Sequence, residues 1–287
     1  IKVTGLLYPR AAFSALKLGQ HGEALTLLES GKARLLAEAL SMGDANLAML
    51  KPEERQQMQA LRGHINELEY EYRLTNNNPA KRNERQISAD LGQARAELRE
   101  LIASLREIYP DFIPQGLALD ALLALIPEAS ALVAPLFTSQ GSAVFIIPGG
   151  VSTITGDHVL LLDDFTTSEL NAITRGTEDN RGWLAHYVYY RFGQSDAAAL
   201  FTGIEDVTRR LWDAVVGQIH QRLQALGVEN VLLMPQGDTN LLPIHAAWRE
   251  GKGKGKRSYF MDDYTITYTP SMVTLANAKR KTNTGTG

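Results

Sequence analysis

As far as Ile108, apolar positions recur at steps of three and four residues. Beyond Gly116, outside the stretch from Ser195 to Leu226, many of them gather instead into short unbroken runs. The first rhythm is that of amphipathic helices, and the second suits strands buried on both faces. Tyr8 to Met42 predicts two helices turned at Gly19-Gln20-His21-Gly22. The first has a face of small residues (Ala11, Ala12, Ala15), and the second a stripe through Ala24, Leu27, Leu28, Gly31, Leu35 and Ala39. Ser41 to Pro52 reads as a linker. Two long helices follow, striped by Met58, Leu61, Ile65, Leu68 and Tyr72, then by Ile87, Leu91, Ala94, Leu98, Leu101, Leu105 and Ile108. Asn76-Asn77-Asn78-Pro79 breaks them apart, so an antiparallel, coiled-coil-like hairpin is expected. Its charged residues are a solvated face, with no catalytic role.

The second half predicts a hairpin from Ala131–Thr138 and Ser142–Ile147, a strand over Asp157–Leu162, and a helix capped near Thr167. A long amphipathic helix is expected between Ser195 and Leu226, ended by Gly227. Next comes Asn230 to Trp248, NVLLMPQGDTNLLPIHAAW, around which the rest is organised: Val231 to Met234 reads as a buried strand stopped by Pro235. Ile244 to Trp248 is expected to open a short helix after Pro243. Tyr259 to Tyr268 predicts one further strand, and Pro270-Ser271 the start of a last helix fading into the tail Thr282 to Gly287. Helix–turn–strand order is the grammar of an α/β sheet.

Composition narrows the chemistry. The chain has 287 residues, 44% of them hydrophobic, enough for a sizeable core and a prior for about two domains. Its formal charge of −3 gives no basic field, so neither nucleic acid nor an anionic membrane is an expected partner. There is no apolar run of membrane-spanning length and no leader-like start, and a soluble cytoplasmic protein is expected. The opening Ile1-Lys2-Val3 lacks a start methionine, as expected for a piece of something longer. With no cysteine, there is no disulfide, no thiolate metal site and no cysteine nucleophile in this sequence.

Gly255-Lys256 invites comparison with a P-loop, but Glu250 stands where the earlier glycine belongs and a strand is expected after the lysine; a solvated loop is the better reading. The six histidines, His21, His64, His158, His186, His220 and His245, show no metal-binding spacing. His245, just past the organising strand, reads as a packed, hydrogen-bonded histidine. No catalytic, cofactor-binding or metal-binding residue is assigned, and no cofactor is expected.

Several segments together resemble the CHAT family, caspase-like domains that follow tetratricopeptide (TPR) arrays. They are Gly31-Lys32-Ala33-Arg34 with Leu35-Leu36-Ala37-Glu38, the helical hairpin, Pro235-Gln236-Gly237, Leu241-Leu242-Pro243, His245-Ala246-Ala247 and Tyr268-Thr269-Pro270-Ser271. The first helix pair likewise resembles one degenerate TPR unit; an ordinary helical hairpin is the other reading. The resemblance implies an α/β caspase-like fold with an incomplete sheet, preceded by the TPR-like pair and the long hairpin. Domain bounds are expected at 1–42, 43–115 and 116–287. It also implies a cysteine endopeptidase whose His–Cys pair lies downstream of the Pro270-Ser271 segment, so no catalytic residue carries over and His245 does not take that role. The partners it implies are a protein or peptide and the C-terminal remainder of the same domain. Two other readings stay open: a non-catalytic interaction scaffold, and a regulatory subunit of a separate catalytic chain.

Overall fold

The computed structural model describes residues 2–41, 47, 50–75, 83–109, 112, 117–178, 180–253 and 256–283. They fall into two compact units, residues 33–115 and residues 1–32 with 116–287.

The smaller unit holds helices α3 (Pro52–Thr75) and α4 (Glu84–Ile108). Met58 shares a core with Leu105 and Phe112 at one end, and Ile65 and Leu68 share one with Ile87 and Ala94 further along. That pairing order makes the hairpin antiparallel, as the two stripes predict. Asn83 caps α4 by accepting the Arg85 N–H. The intervening Asn76–Pro79 turn and most of the Ser41–Pro52 linker lie outside the described residues.

The larger unit is a mixed sheet with helices on both faces. Its helical start is α1 (Lys2–Lys17) and the first part of α2 (His21–Ser41), followed after residue 116 by α5 (Leu119–Leu123). Strands β1 (Ser130–Thr138) and β2 (Gly141–Pro148) form the expected hairpin, and β3 (Val159–Leu162) extends it antiparallel. Helices α6 (Thr167–Thr174), α7 (Trp183–Arg191), α8 (Ala197–Leu211) and α9 (Gly217–Leu226) lead to β4 (Asn230–Leu233). Then come β5 (Trp248–Glu250), β6 (Arg257–Tyr259), α10 (Phe260–Asp263), β7 (Thr265–Tyr268) and α11 (Met272–Asn283). The sheet order is β3-β2-β1-β4-β7, with β1, β4 and β7 mutually parallel.

Strand alternation divides the core in two. Ala131, Val133, Val144, Ile146, Val231 and Leu233 face a cluster with α6, α8 and α9. Leu132, Ala134, Phe145, Ile147, Leu232 and Met234 face α1, α2, α5 and Met272 instead. Burial on both faces is why β1, β2 and β4 read as continuous apolar runs.

Four expectations need correction. The long helix is continuous in outline, but residues Trp212–Val216 wind as a π-helix between α8 and α9, and Gly227 then caps α9 at φ 65°. Ile244 to Trp248 makes only a single tight turn, Ile244–Ala246, and Trp248 begins a strand. The Trp248 indole N–H donates to the Glu205 carbonyl, and its ring lies against the Arg209 and Arg257 guanidinium groups, which ties this residue to α8 and β6. Tyr259 to Tyr268 is two strands interrupted by α10, because Phe260 turns fully into the core while Asp262 accepts the Tyr259 N–H at 2.8 Å. The helix expected near Thr167 is capped one residue earlier, by Thr166 reciprocally with Glu169.

Candidate functional site at the carboxyl ends of the parallel strands

In open α/β sheets, ligands bind beyond the carboxyl ends of the strands. Here that face is built from the segments leaving β4 and β7. After β4, Met234 extends the ladder by donating its N–H to Val133, and Pro235 ends it. Gly237–Leu241 then winds tightly, held by buried Thr239, whose hydroxyl bonds both the N–H and the carbonyl of Gln236 at 2.6 Å. Pro243 restricts Leu242 to extended backbone and delivers the Ile244–Ala246 turn, with Ile244 buried as its anchor.

That turn carries His245. The Tyr268 hydroxyl, at the end of β7, lies 2.9 Å from His245 Nδ1 and 3.3 Å from the His245 backbone N–H. The backbone N–H must donate, so the phenol oxygen accepts from it, and the imidazole tautomer sets which partner donates in the Nδ1 contact. Burial pushes the His245 pKa down and the Tyr268 pKa up, so both are neutral near pH 7. His245 is thus the packed, hydrogen-bonded histidine that its position in sequence suggests.

On the same side of the sheet, α2 contributes a charged pair that sequence reasoning did not single out as a site. Lys32 Nζ donates to the Pro235 carbonyl at 2.5 Å and the Pro270 carbonyl at 3.0 Å. Glu29, 1% exposed, accepts the Val273 N–H at 3.0 Å in the first turn of α11, beside Ser271, which accepts from Thr274 N–H. A carboxylate satisfies the otherwise unpaired N–H groups of a helix start and complements its dipole. Burial still dominates and raises the Glu29 pKa, while burial lowers that of Lys32 to about 8 against the opposing pull of Glu29. In sequence the two were only charges three apart, off the stripe read for this helix, with Lys32 quoted within the Gly31–Arg34 segment. In the structure Glu29 is buried along with Ala24, Leu25 and Leu28.

Residues 205–286 match the family model of the CHAT domain. No curated protein and no solved structure matches the chain. The CHAT match runs from α8 almost to the end of the chain, and so takes in β4, β7 and every residue of this face except Glu29 and Lys32.

The face does not by itself supply a nucleophile with its base. Among the described residues, the contacts between a hydroxyl and an imidazole are Tyr268 with His245, Tyr264 with His220 at 3.2 Å, and Thr155 with His158 at 3.4 Å; none involves serine. His220 is buried against Trp212 and Tyr264, and His186 lies against Gly203. No described cluster of three or more His, Asp or Glu side chains could hold a metal ion. Gly255 lies outside the described residues, but β6 and not a helix follows Lys256, which is contrary to a P-loop. A cavity of about 400 Å³ lies between Asp120, Ile126, Glu128 and Val151, near the amino end of β1 and away from this face. No helix is long and apolar enough, among the described residues, to cross a membrane.

Proposed function

We propose that the sheet unit is part of a CHAT-type caspase-like cysteine endopeptidase. In this reading the N-terminal helices are the regulatory and docking region, and β1 to β7 the first part of the catalytic-domain sheet. The observation that carries it is the CHAT match over residues 205–286, which covers the strand–turn–strand segments at the carboxyl face. The open side of β7 supports it: among the described residues no strand pairs with its outer edge, and its four residues are exposed or only half-buried. An unguarded edge of this kind is a place for another strand. Peptide cleavage of the family type needs a thiolate and an imidazole within hydrogen-bond reach, and with no cysteine among these 287 residues the thiol is supplied from beyond them. The helix pair of α1 and α2 serves as the end of a TPR-like region (1–42), the hairpin (43–115) as a second helical element, and 116–287 as the caspase-like part. A protein or peptide is the partner or substrate; the exposed Tyr187, Tyr190, Phe192 and Phe201 rings near α7 and α8 support a protein partner.

The absence of cysteine also favours a second reading, a non-catalytic scaffold with a pseudo-enzyme sheet. One assay separates the two. The natural gene around this sequence is expressed, with and without alanine at the first cysteine on a downstream strand end, and cleavage of a peptide library is followed. Cleavage abolished by that substitution is the expected result. Cleavage indifferent to it removes the cysteine mechanism, and no cleavage under any partner condition leaves the scaffold.

A further inference from the structure

Glu29 and Lys32 lie one turn apart on α2, yet their contacts are with backbone groups at the far end of the chain. The Lys32 ammonium touches the carbonyls of Pro235 and Pro270, each two residues past the end of its strand, β4 and β7. These two carbonyls lie beyond the β4–β7 ladder, so one donor group spanning both fixes the gap between the loops. Glu29 holds the same corner from the other side, through the Val273 N–H at the start of α11, and its Oε2 is buried with no hydrogen-bond partner among the described residues. A buried charge left like this is retained only where its neighbours compensate it, here Lys32 and the helix start.

We propose that Glu29 and Lys32 are positioning residues, a clasp through which α2 sets the spacing of the loop after β4, which carries His245, and the loop after β7, which follows Tyr268. The proposal rests on the peptidase reading only in taking that face for the peptide cleft. A displacement of α2 is then passed to both loops at once, because the same two side chains hold both. An exposed pair such as Lys17 with Asp163, which joins α1 to the turn after β3, has no such reach.

Hydrogen–deuterium exchange on the full chain tests this with Glu29→Gln, Lys32→Gln, the double variant, Lys32→Arg, and Lys17→Gln as control. Each single glutamine variant is expected to speed exchange about tenfold in both 234–246 and 269–277, the double variant no more than the larger single change. Lys32→Arg, whose fork reaches two carbonyls, keeps the protection, and Lys17→Gln leaves it unchanged. Faster exchange in one loop only, additive effects in the double variant, equal losses in Lys32→Arg and Lys32→Gln, or a rise spread evenly over β1 and β2 would each overturn the clasp. The two claims part cleanly: the expected exchange pattern in a parent protein that cleaves no peptide sinks the peptidase reading alone. Cysteine-dependent cleavage with undisturbed loops in both glutamine variants sinks the clasp alone.

Discussion

Gly203 leaves no room for a side chain, since a Cβ there would meet the His186 ring at 2.2 Å. Gly63, exposed on α3, has open space around the same added atom. The two glycines therefore predict opposite signs for one substitution. Gly203→Ala should destabilise the chain by about 1–3 kcal/mol through overpacking, and Gly63→Ala should stabilise α3 by roughly 0.5–1 kcal/mol through helix propensity. Urea unfolding curves of both variants check this, and a gain at Gly203 would mean that His186 moves aside freely. The same scale explains His245. Its half-burial and the phenol at Nδ1 follow from where β7 ends, not from neighbours in sequence, so nothing local distinguishes it from the other five histidines.

At the scale of elements, β7 combines pairing on one side with an edge that, among the described residues, no strand covers on the other. The Thr265 and Thr269 N–H groups point to β4, donating to Glu229 and Leu233. Alternation along a parallel strand then turns the Ile266 N–H outward. Proline is tolerated at an edge where the lost donor faces away from the ladder. Ile266→Pro should accordingly leave the β4–β7 pairing intact while lowering self-association of the chain at high concentration. Sedimentation velocity on both proteins measures this, and unchanged association would show that the β7 edge is not the sticking surface. The β5–β6 hairpin makes a second point. Arg209 and Arg257 stack on Trp248, Arg257 also forms a two-pronged pair with Glu205, and Arg249 meets Asp263 at 3.4 Å. Much of the basic character next to the glycine–lysine loop is thereby neutralised within the fold, in keeping with a solvated loop rather than a phosphate cradle.

Across the whole sheet unit, the clasp ties positions 203 and 238 residues apart in sequence, and this gives it a pH signature. Lys32 titrates at about 8 in the folded chain, against an ordinary 10.5. The unfolded chain therefore holds that proton more tightly. The stabilising contribution is smallest below about pH 8, grows as pH rises towards 10.5, and is complete above it. Neutral lysine keeps two N–H donors for its two carbonyls, so the contacts survive the loss of charge. Urea midpoints measured from about pH 7 to 10 should climb more steeply in the wild type than in Lys32→Gln. Tyr264, raised to about 12, titrates above that window with the opposite sign. Parallel slopes would remove Lys32 as the source. By itself the sequence determined the helix stripes, the strand runs of β1, β2 and β4, the Gly227 cap, the absence of a thiol and the order of segments that resembles CHAT. These depend on period, turn chemistry and composition, which are local. Only the tertiary structure decided the sheet order, the break of Tyr259–Tyr268 around Phe260, the His245–Tyr268 pair and the reach of Glu29 and Lys32. Each of these is a contact between distant segments, fixed by which strand lies beside which and by what must be buried between them.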